Sequence, residues 1–182
     1  MPSLTPFKPL TKMLIGAVLG IIALVALKGY FAKSKANYFA DPGSAIAVLK
    51  KKINGPVAVA ELDIRAKNIM GFKVQDPNHK SEINGFIVMD GKVQNEGPDL
   101  MIPRFATESQ INQFITNVDE INFSVLPAMA NTALANTKLT NPFIELVDFR
   151  GHGERKIWTI HLRDARGRNE MPEFDKNGAP IK

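Results

Sequence analysis

The chain has 182 residues, no cysteine and a formal net charge of +5, made up of 23 basic and 18 acidic residues. Several of the lysines flank an apolar run near the N-terminus, so the charge does not indicate a nucleic-acid-binding surface. The lack of cysteine excludes a disulfide framework and a cysteine nucleophile, and a domain of this size can bury an adequate core without cross-links.

The first forty residues are typical of a membrane anchor. The run from Met13 to Leu27 carries no charge and continues through Lys28 to Ala32. The resulting length of about twenty residues matches one bilayer crossing, and Lys28 lies near the end, where its stem can reach the headgroups. The sequence therefore predicts a cytoplasmic tail over 1–12, a transmembrane helix over 13–32 and a tether over 33–40.

A cleaved signal peptide is the main alternative to this anchor, because Lys8 and Lys12 form a charged n-region. No small-residue cleavage site follows the run closely, however, and a buried soluble helix would show a polar face that this segment lacks. A short N-terminal tail favours a signal-anchor in the inner membrane. The expected localisation is therefore a single-pass inner-membrane protein with a periplasmic C-terminal domain.

Gly16 and Gly20 form a G-x-x-x-G pattern within the predicted span. Small residues at this spacing let two membrane helices approach closely, so the pattern suggests a homodimer. Glycine is also common in membrane helices in general, and ordinary composition is the alternative explanation.

A first unit of one helix and several strands is predicted over 41–103. Asp41-Pro42 is an N-cap followed by proline at the first helical position, and Asn54-Gly55-Pro56 ends the helix. Asp90-Gly91 then marks a tight turn before one further short strand. The three runs with strand-like alternation are 57–65, 69–75 and 83–89.

A second unit of the same order is predicted over 104–182. Thr107-x-x-Gln110 is typical of a capping box that opens a short helix, and Ser124 is predicted to cap a longer helix that ends near Thr137. Strands are predicted over 143–150 and 156–163, followed by a turn and a last short strand. The expected fold class is therefore α+β, with one transmembrane helix followed by two αβββ units.

The two units match at a fixed offset of 85 positions. Leu62-Asp63-Ile64-Arg65 falls on Val147-Asp148-Phe149-Arg150, and Asp90 falls on Asp175. Phe72 pairs best with Trp158 after a shift of one residue. The match suggests a tandem duplication.

A helix followed by antiparallel strands and a turn such as Phe174-Asp-Lys-Asn-Gly178 resembles the PepSY-type and β-lactamase-inhibitor-like modules. The segment from Asn122 to Ala130 is similar to the helix start in such domains. The resemblance covers residues 41–182. It implies a binding or inhibitory module outside the cytoplasmic membrane, with no catalytic residues to transfer.

The sequence contains no motif that indicates an enzyme or a cofactor site. It has no nucleophile elbow, P-loop or G-x-G-x-x-G motif. His152, Glu154, His161 and Asp164 could be read as a metal cluster, but their spacing differs from a specific zinc motif, so a loop histidine and a sheet histidine are expected instead. Asp175-x-Asn177-Gly178 is interpreted as a turn, since it lacks the length of a calcium loop.

The function predicted from these observations is a membrane-tethered, extracytoplasmic protein-interaction module without catalytic activity that binds an envelope protein. The alternatives are a small membrane-anchored metal-dependent hydrolase and a ligand-sensing domain. Strand alternation places a mostly basic face outward, suited to an acidic partner or anionic headgroups. The alternative for this face is a solvated surface whose arginines pair with Asp148 and Asp164. The predicted partner-binding residues are Arg150, His161, Arg163, Arg166 and Arg168.

Overall fold

A computed structural model of the chain describes residues 36–65, 68–98, 107–153 and 155–181, without the side chain of His152. These residues belong to one compact unit, 36–182. Its helices are α1 (Pro42–Ile53), α2 (Glu108–Asn112) and α3 (Leu126–Asn136), with 3-10 turns at Val118–Glu120 and Phe123–Val125. Its strands are β1 (Ala58–Arg65), β2 (Ile69–Gln75), β3 (Ile83–Met89), β4 (Lys92–Pro98), β5 (Thr116–Asn117), β6 (Phe143–His152), β7 (Arg155–Arg163), β8 (Asn169–Glu170) and β9 (Glu173–Asp175).

All nine described strands belong to a single antiparallel sheet. Its order is β4-β3-β2-β1-β6-β7-β8, with β5 paired to β1 and β9 paired to β7. The pairing of β1 with β6 joins the two halves of the chain, and Asp63 lies directly opposite Asp148. The prediction of two αβββ units behind a membrane helix is therefore wrong. The alternation of apolar and polar residues predicted which side chains share a face of the sheet. It did not predict that β1 and β6 are neighbours.

Helices α1 and α3 cover one face of the sheet. α1 packs against β3 and β4, and α3 packs against β7. Asp41 caps α1 by accepting a hydrogen bond from the backbone N–H of Ser44. The core between the layers is built from apolar side chains that alternate along the strands. Among its fully buried members are Leu49, Leu62, Met70, Met129, Trp158 and Ile160.

The start of α3 differs from the prediction. Ser124 lies in the 3-10 turn, where the side chain of Asn122 caps its backbone N–H at 3.1 Å. α3 itself begins at Leu126 and has no side-chain cap. The capping box of α2 is confirmed, because Thr107 and Gln110 each accept from the other's backbone N–H.

The membrane predictions need correction. Among the described residues, no helix is long and apolar enough to cross a membrane. The longest, α1, has 12 residues and three lysines in its last turn, against the roughly twenty apolar residues that a crossing needs. We therefore withdraw the single-pass architecture, the integral membrane contact and the inner-membrane localisation with a periplasmic domain. The predicted span over 13–32, with Gly16, Gly20 and the homodimer they suggested, lies outside the described residues.

Candidate functional site

The sheet face opposite the helices carries ion pairs that cross its central strands. We call it the charged face. It comprises Glu61, Asp63, Arg65, Lys73, Asp148, Arg150, His161 and Arg163, which alternate with the core residues along β1, β2, β6 and β7. Glu61 links both halves of the sheet, because Oε1 lies 3.4 Å from Arg150 Nη2 and Oε2 lies 3.3 Å from Lys73 Nζ.

Two Asp-x-Arg segments form the centre of the charged face. Arg65 donates from Nε to Asp63 Oδ1 at 2.5 Å and from Nη2 to Oδ2 at 3.0 Å. Arg150 Nε lies 3.3 Å from Asp148 Oδ1. The side chains of Arg65 and Arg150 are 53% and 61% exposed, whereas those of Asp63 and Asp148 are only 9% and 2% exposed. Both aspartates are thus buried beneath an exposed arginine. Asp63 holds Arg65 by two hydrogen bonds, whereas Arg150 lies at ion-pair distance from Asp148 Oδ1, which accepts no hydrogen bond, and donates from Nη2 to Glu61 Oε1 at 3.4 Å.

The electrostatics of Arg65 follow from this arrangement. The hydrogen bond to Asp63 raises the pKa of Arg65 above its ordinary value and outweighs the opposing effect of burial. Glu96 and Glu61 add to the rise through their charges. Arg65 is therefore held as a cation that is both exposed and fixed in place.

His161 approaches Asp148 from the neighbouring strand. Its Nε2 lies 2.5 Å from Asp148 Oδ2. General-base sites use such a carboxylate–imidazole contact, but they also need a nucleophile hydrogen-bonded to the imidazole. Within the described part of the chain, no hydroxyl group makes that bond to His161. The contact gives Oδ2 of the buried Asp148 carboxylate a hydrogen-bond partner on the neighbouring strand.

The other predicted partner-binding residues are dispersed. Arg163 on β7 donates from Nη1 to Glu145 Oε1 at 2.6 Å. Arg168 lies in the turn after β7 and donates from Nε to Asp164 Oδ2 at 2.8 Å. Arg166, in the same turn, is exposed. The alternative interpretation, a solvated face, expected arginines paired with Asp148 and Asp164, and these ion pairs are present. Of the five predicted residues, only Arg150 and His161 meet around one carboxylate, that of Asp148.

The sequence interpretation missed the half of the charged face that belongs to β1 and β2. Asp63 and Arg65 match Asp148 and Arg150 at the 85-residue offset, and in the antiparallel pair of β1 and β6 the two aspartates lie opposite each other. The signal was available, because the two tetrapeptides match at the 85-residue offset. The match indicates a repeat, and polar residues shared between two repeats also indicate that the two surfaces have similar chemistry. On that ground Asp63 and Arg65 belong with Asp148 and Arg150.

A shallow groove of about 170 Å³ lies beside Arg65 on the charged face. Its lining includes Gly71, Gly85 and Gly97 on three successive strands. A β-carbon at Gly71 would come within 2.6 Å of Asp63 Oδ2. The missing side chain at this position is therefore what allows Asp63 to lie flat against β2.

The metal cluster considered as an alternative for His152, Glu154, His161 and Asp164 includes two side chains that the structure describes, and both have other partners. His161 contacts Asp148, and Asp164 is bound by the Arg168 side chain and by backbone N–H groups of the turn. Glu154 and the side chain of His152 lie outside the described residues. Within the described part, ligand atoms of Asp76, His79 and Glu82 lie within 4.8 Å of one another, a cluster on the β2–β3 loop that sequence spacing did not single out.

The turn around Asp164 gives a prediction for pH dependence. Burial alone would raise the pKa of Asp164, but the Arg168 side chain and the backbone N–H groups of Arg168 and Arg166 outweigh it, so the pKa lies below its ordinary value. A carboxylate with a lowered folded-state pKa stabilises the fold at pH above its unfolded value of about 3.9, and this contribution is lost as pH falls through the folded value. Arg168→Gln should therefore destabilise the chain more at pH 7 than at pH 3.

Urea unfolding of wild type and variant at both pH values measures this difference. Arg166→Gln is the matched control, because only the backbone N–H of Arg166 bonds to Asp164. A constant destabilisation by Arg168→Gln from pH 7 to pH 3 would show that its charge does not act through Asp164.

Comparison with known proteins adds no assignment to this geometry. No protein-family model, curated protein or solved structure matches the chain. The resemblance to PepSY-type and β-lactamase-inhibitor-like modules therefore stays a prediction.

Proposed function

We propose that the chain is a non-catalytic protein-binding module whose charged face binds an acidic partner. The observation that carries this proposal is the repeated pair of a buried aspartate and an exposed arginine at the centre of the face. An ordinary surface ion pair exposes both members and contributes little to stability. A carboxylate buried beneath its guanidinium instead holds the arginine in one orientation, which lowers the entropy lost on binding.

The arginines retain hydrogen-bonding capacity toward a partner. Arg65 uses Nε and Nη2 for Asp63, which leaves the two N–H groups of Nη1 for an outside carboxylate. Its cross-strand neighbours Ile69 and Leu146 are half-buried on the same face. Arginine beside aliphatic side chains is the composition found at the energetic centre of protein interfaces.

Removing charge from the two arginines without reversing it tests the proposal. In Arg65→Gln/Arg150→Gln, the amide at position 65 can still donate to Asp63, and the amide at position 150 lies within reach of Asp148 Oδ1, so we expect the fold to survive. The full chain and the variant are used as baits in native cell extract at low and high salt, with a photo-crosslinker at Thr159, which lies opposite Asp148. We expect crosslinked acidic proteins whose yield falls about tenfold or more in the variant and in high salt.

Lys51→Gln/Lys138→Gln removes the same charge from exposed positions away from this face and serves as control. It should retain wild-type crosslinking, and a crosslinker at Lys51 should capture none of these proteins. Equal capture by wild type and Arg65→Gln/Arg150→Gln, or crosslinked proteins that are not acidic, would refute the charged face as the binding surface.

A further inference from the structure

A second concave site lies on the helix side of the sheet, away from the charged face. It encloses about 230 Å³ where α1 ends, and Lys52 and Ile53 form one wall. The floor continues the sheet face that α1 covers elsewhere. Asn84 and Phe86 on β3 form it, together with their cross-strand neighbours Val74 and Asn95. The β2–β3 loop closes the opposite side with Asp76 and Asn78.

The side-chain amides of Asn84 and Asn95 each make one hydrogen bond, and this bond determines the orientation of the amide group. Asn84 Nδ2 donates to Asp76 Oδ2 at 3.1 Å, and Asn95 Oδ1 accepts from the backbone N–H of Gly97 at 2.7 Å. A carboxylate only accepts and a backbone N–H only donates, so these partners leave Asn84 with an acceptor and Asn95 with a donor for a ligand. A hydroxyl group, which donates and accepts, satisfies both.

The rest of the lining sets the charge and polarity of the ligand. The backbone N–H groups of Asn78 and His79 bond to Asp76 Oδ1, and the pKa of Asp76 is lowered chiefly by the Asn78 bond despite burial. Asp76 is thus a fixed anion, and the lining also contains one cation, Lys52, so its formal charges sum to zero and favour neither a net cation nor a net anion. Ile53, Val74 and Phe86 supply an apolar surface between the polar groups.

We infer that this site binds a neutral polyhydroxylated ligand of monosaccharide size. A sugar ring presents hydroxyl groups at its rim and C–H groups on its faces. The rim matches the fixed amides and Asp76, and the C–H face matches Phe86 and the aliphatic side chains. Apolar walls with a few fixed polar groups are the usual composition of small-molecule sites. This inference is independent of the proposed binding of a protein by the charged face.

Asn95→Asp provides a sharp test of the inference. The aspartate keeps the size of the side chain and can still accept from Gly97 N–H, but it replaces the free donor with an acceptor. Saturation-transfer NMR is recorded on the full chain with glucose, galactose, mannose and N-acetylglucosamine, each at about 10 mM. We expect at least one sugar to give ring-proton signals in the wild type, and these signals to fall at least threefold in Asn95→Asp.

Two controls separate the site from nonspecific and charge effects. Asn131→Asp introduces the same charge on the exposed face of α3 and should retain the wild-type signal. Arg65→Gln/Arg150→Gln should also bind the sugar normally, which distinguishes failure of this inference from failure of the proposed function. No signal with any of the four sugars, or an equal signal in wild type and Asn95→Asp, would overturn the inference.

Discussion

Trp158→Ala is expected to lower the free energy of unfolding by about 3–5 kcal/mol, the usual cost of truncating a large core aromatic. The Trp158 side chain is fully buried on the helix side of β7. Its ring lies 4.9 Å from Phe149 and meets Phe123 edge-on at 5.8 Å, measured between ring centroids. Trp158 therefore joins β6, β7 and the 3-10 turn before α3, and its truncation would remove both ring contacts. Urea unfolding measures the change.

Trp158→Phe and Met171→Ala calibrate that measurement. Trp158 Nε1 is buried without an acceptor, so Trp158→Phe keeps an aromatic contact and removes an unsatisfied donor. Trp158→Phe should therefore lower the free energy of unfolding clearly less than Trp158→Ala does. Met171 is 55% exposed, and its truncation should change stability by less than about 0.5 kcal/mol. A loss below about 1 kcal/mol for Trp158→Ala would show that this cluster does not organise the second half of the sheet.

Local structure was predictable where a physical signal acts within a few residues. β2 and β3 have the predicted bounds, because β-branched and aromatic residues alternate between turn residues on each side. Asp41 and Thr107 cap the helices they were expected to cap. Ser124 was the wrong choice of cap, since Asn122 two residues earlier competes for the same turn and accepts from both the N–H and the hydroxyl of Ser124.

Sheet order and the position of the site were not predictable in the same way. Alternation assigned Arg150, Thr159 and His161 to one face, and the structure places them there. The buried state of Asp63 and Asp148 depends on the pairing of β1 with β6, which joins residues 85 positions apart. No periodicity within either strand encodes that contact. A match between two tetrapeptides is equally compatible with strands far apart and with strands that are direct neighbours.

The registers of the outer strands show the same limit. The sequence match aligned Phe72 with Trp158, whereas in the sheet Phe72 lies opposite Leu62 and Trp158 opposite Phe149. Since Leu62 matches Val147 and Val147 lies opposite Ile160, Phe72 corresponds to Ile160. The hydrophobic pattern is compatible with Phe72 matching either Trp158 or Ile160. These two residues are one strand period of two residues apart, so both point toward the helices.

The residues opposite the two central aspartates differ in a way that allows a second large stability test. Gly71 lies opposite Asp63, and Thr159 lies opposite Asp148. Asp148 turns to His161 and Arg150 beside the threonine side chain. Asp63 instead occupies the space above Gly71, where its two bonds to Arg65 hold it.

Gly71→Ala is therefore expected to destabilise the chain by about 1–3 kcal/mol, the usual cost of overpacking a filled site. A strand glycine replaced by alanine would otherwise gain about 0.5–1 kcal/mol, so the sign of the change identifies the steric effect. Gly55→Ala, where an added β-carbon meets nothing within 4 Å, is the control and should be neutral or slightly stabilising. Asp63→Ala removes the clashing carboxylate, and adding Gly71→Ala to that variant should no longer destabilise. Thermal and urea unfolding of the four proteins complete a double-mutant cycle, in which additive effects would show that Asp63 and Gly71 do not interact.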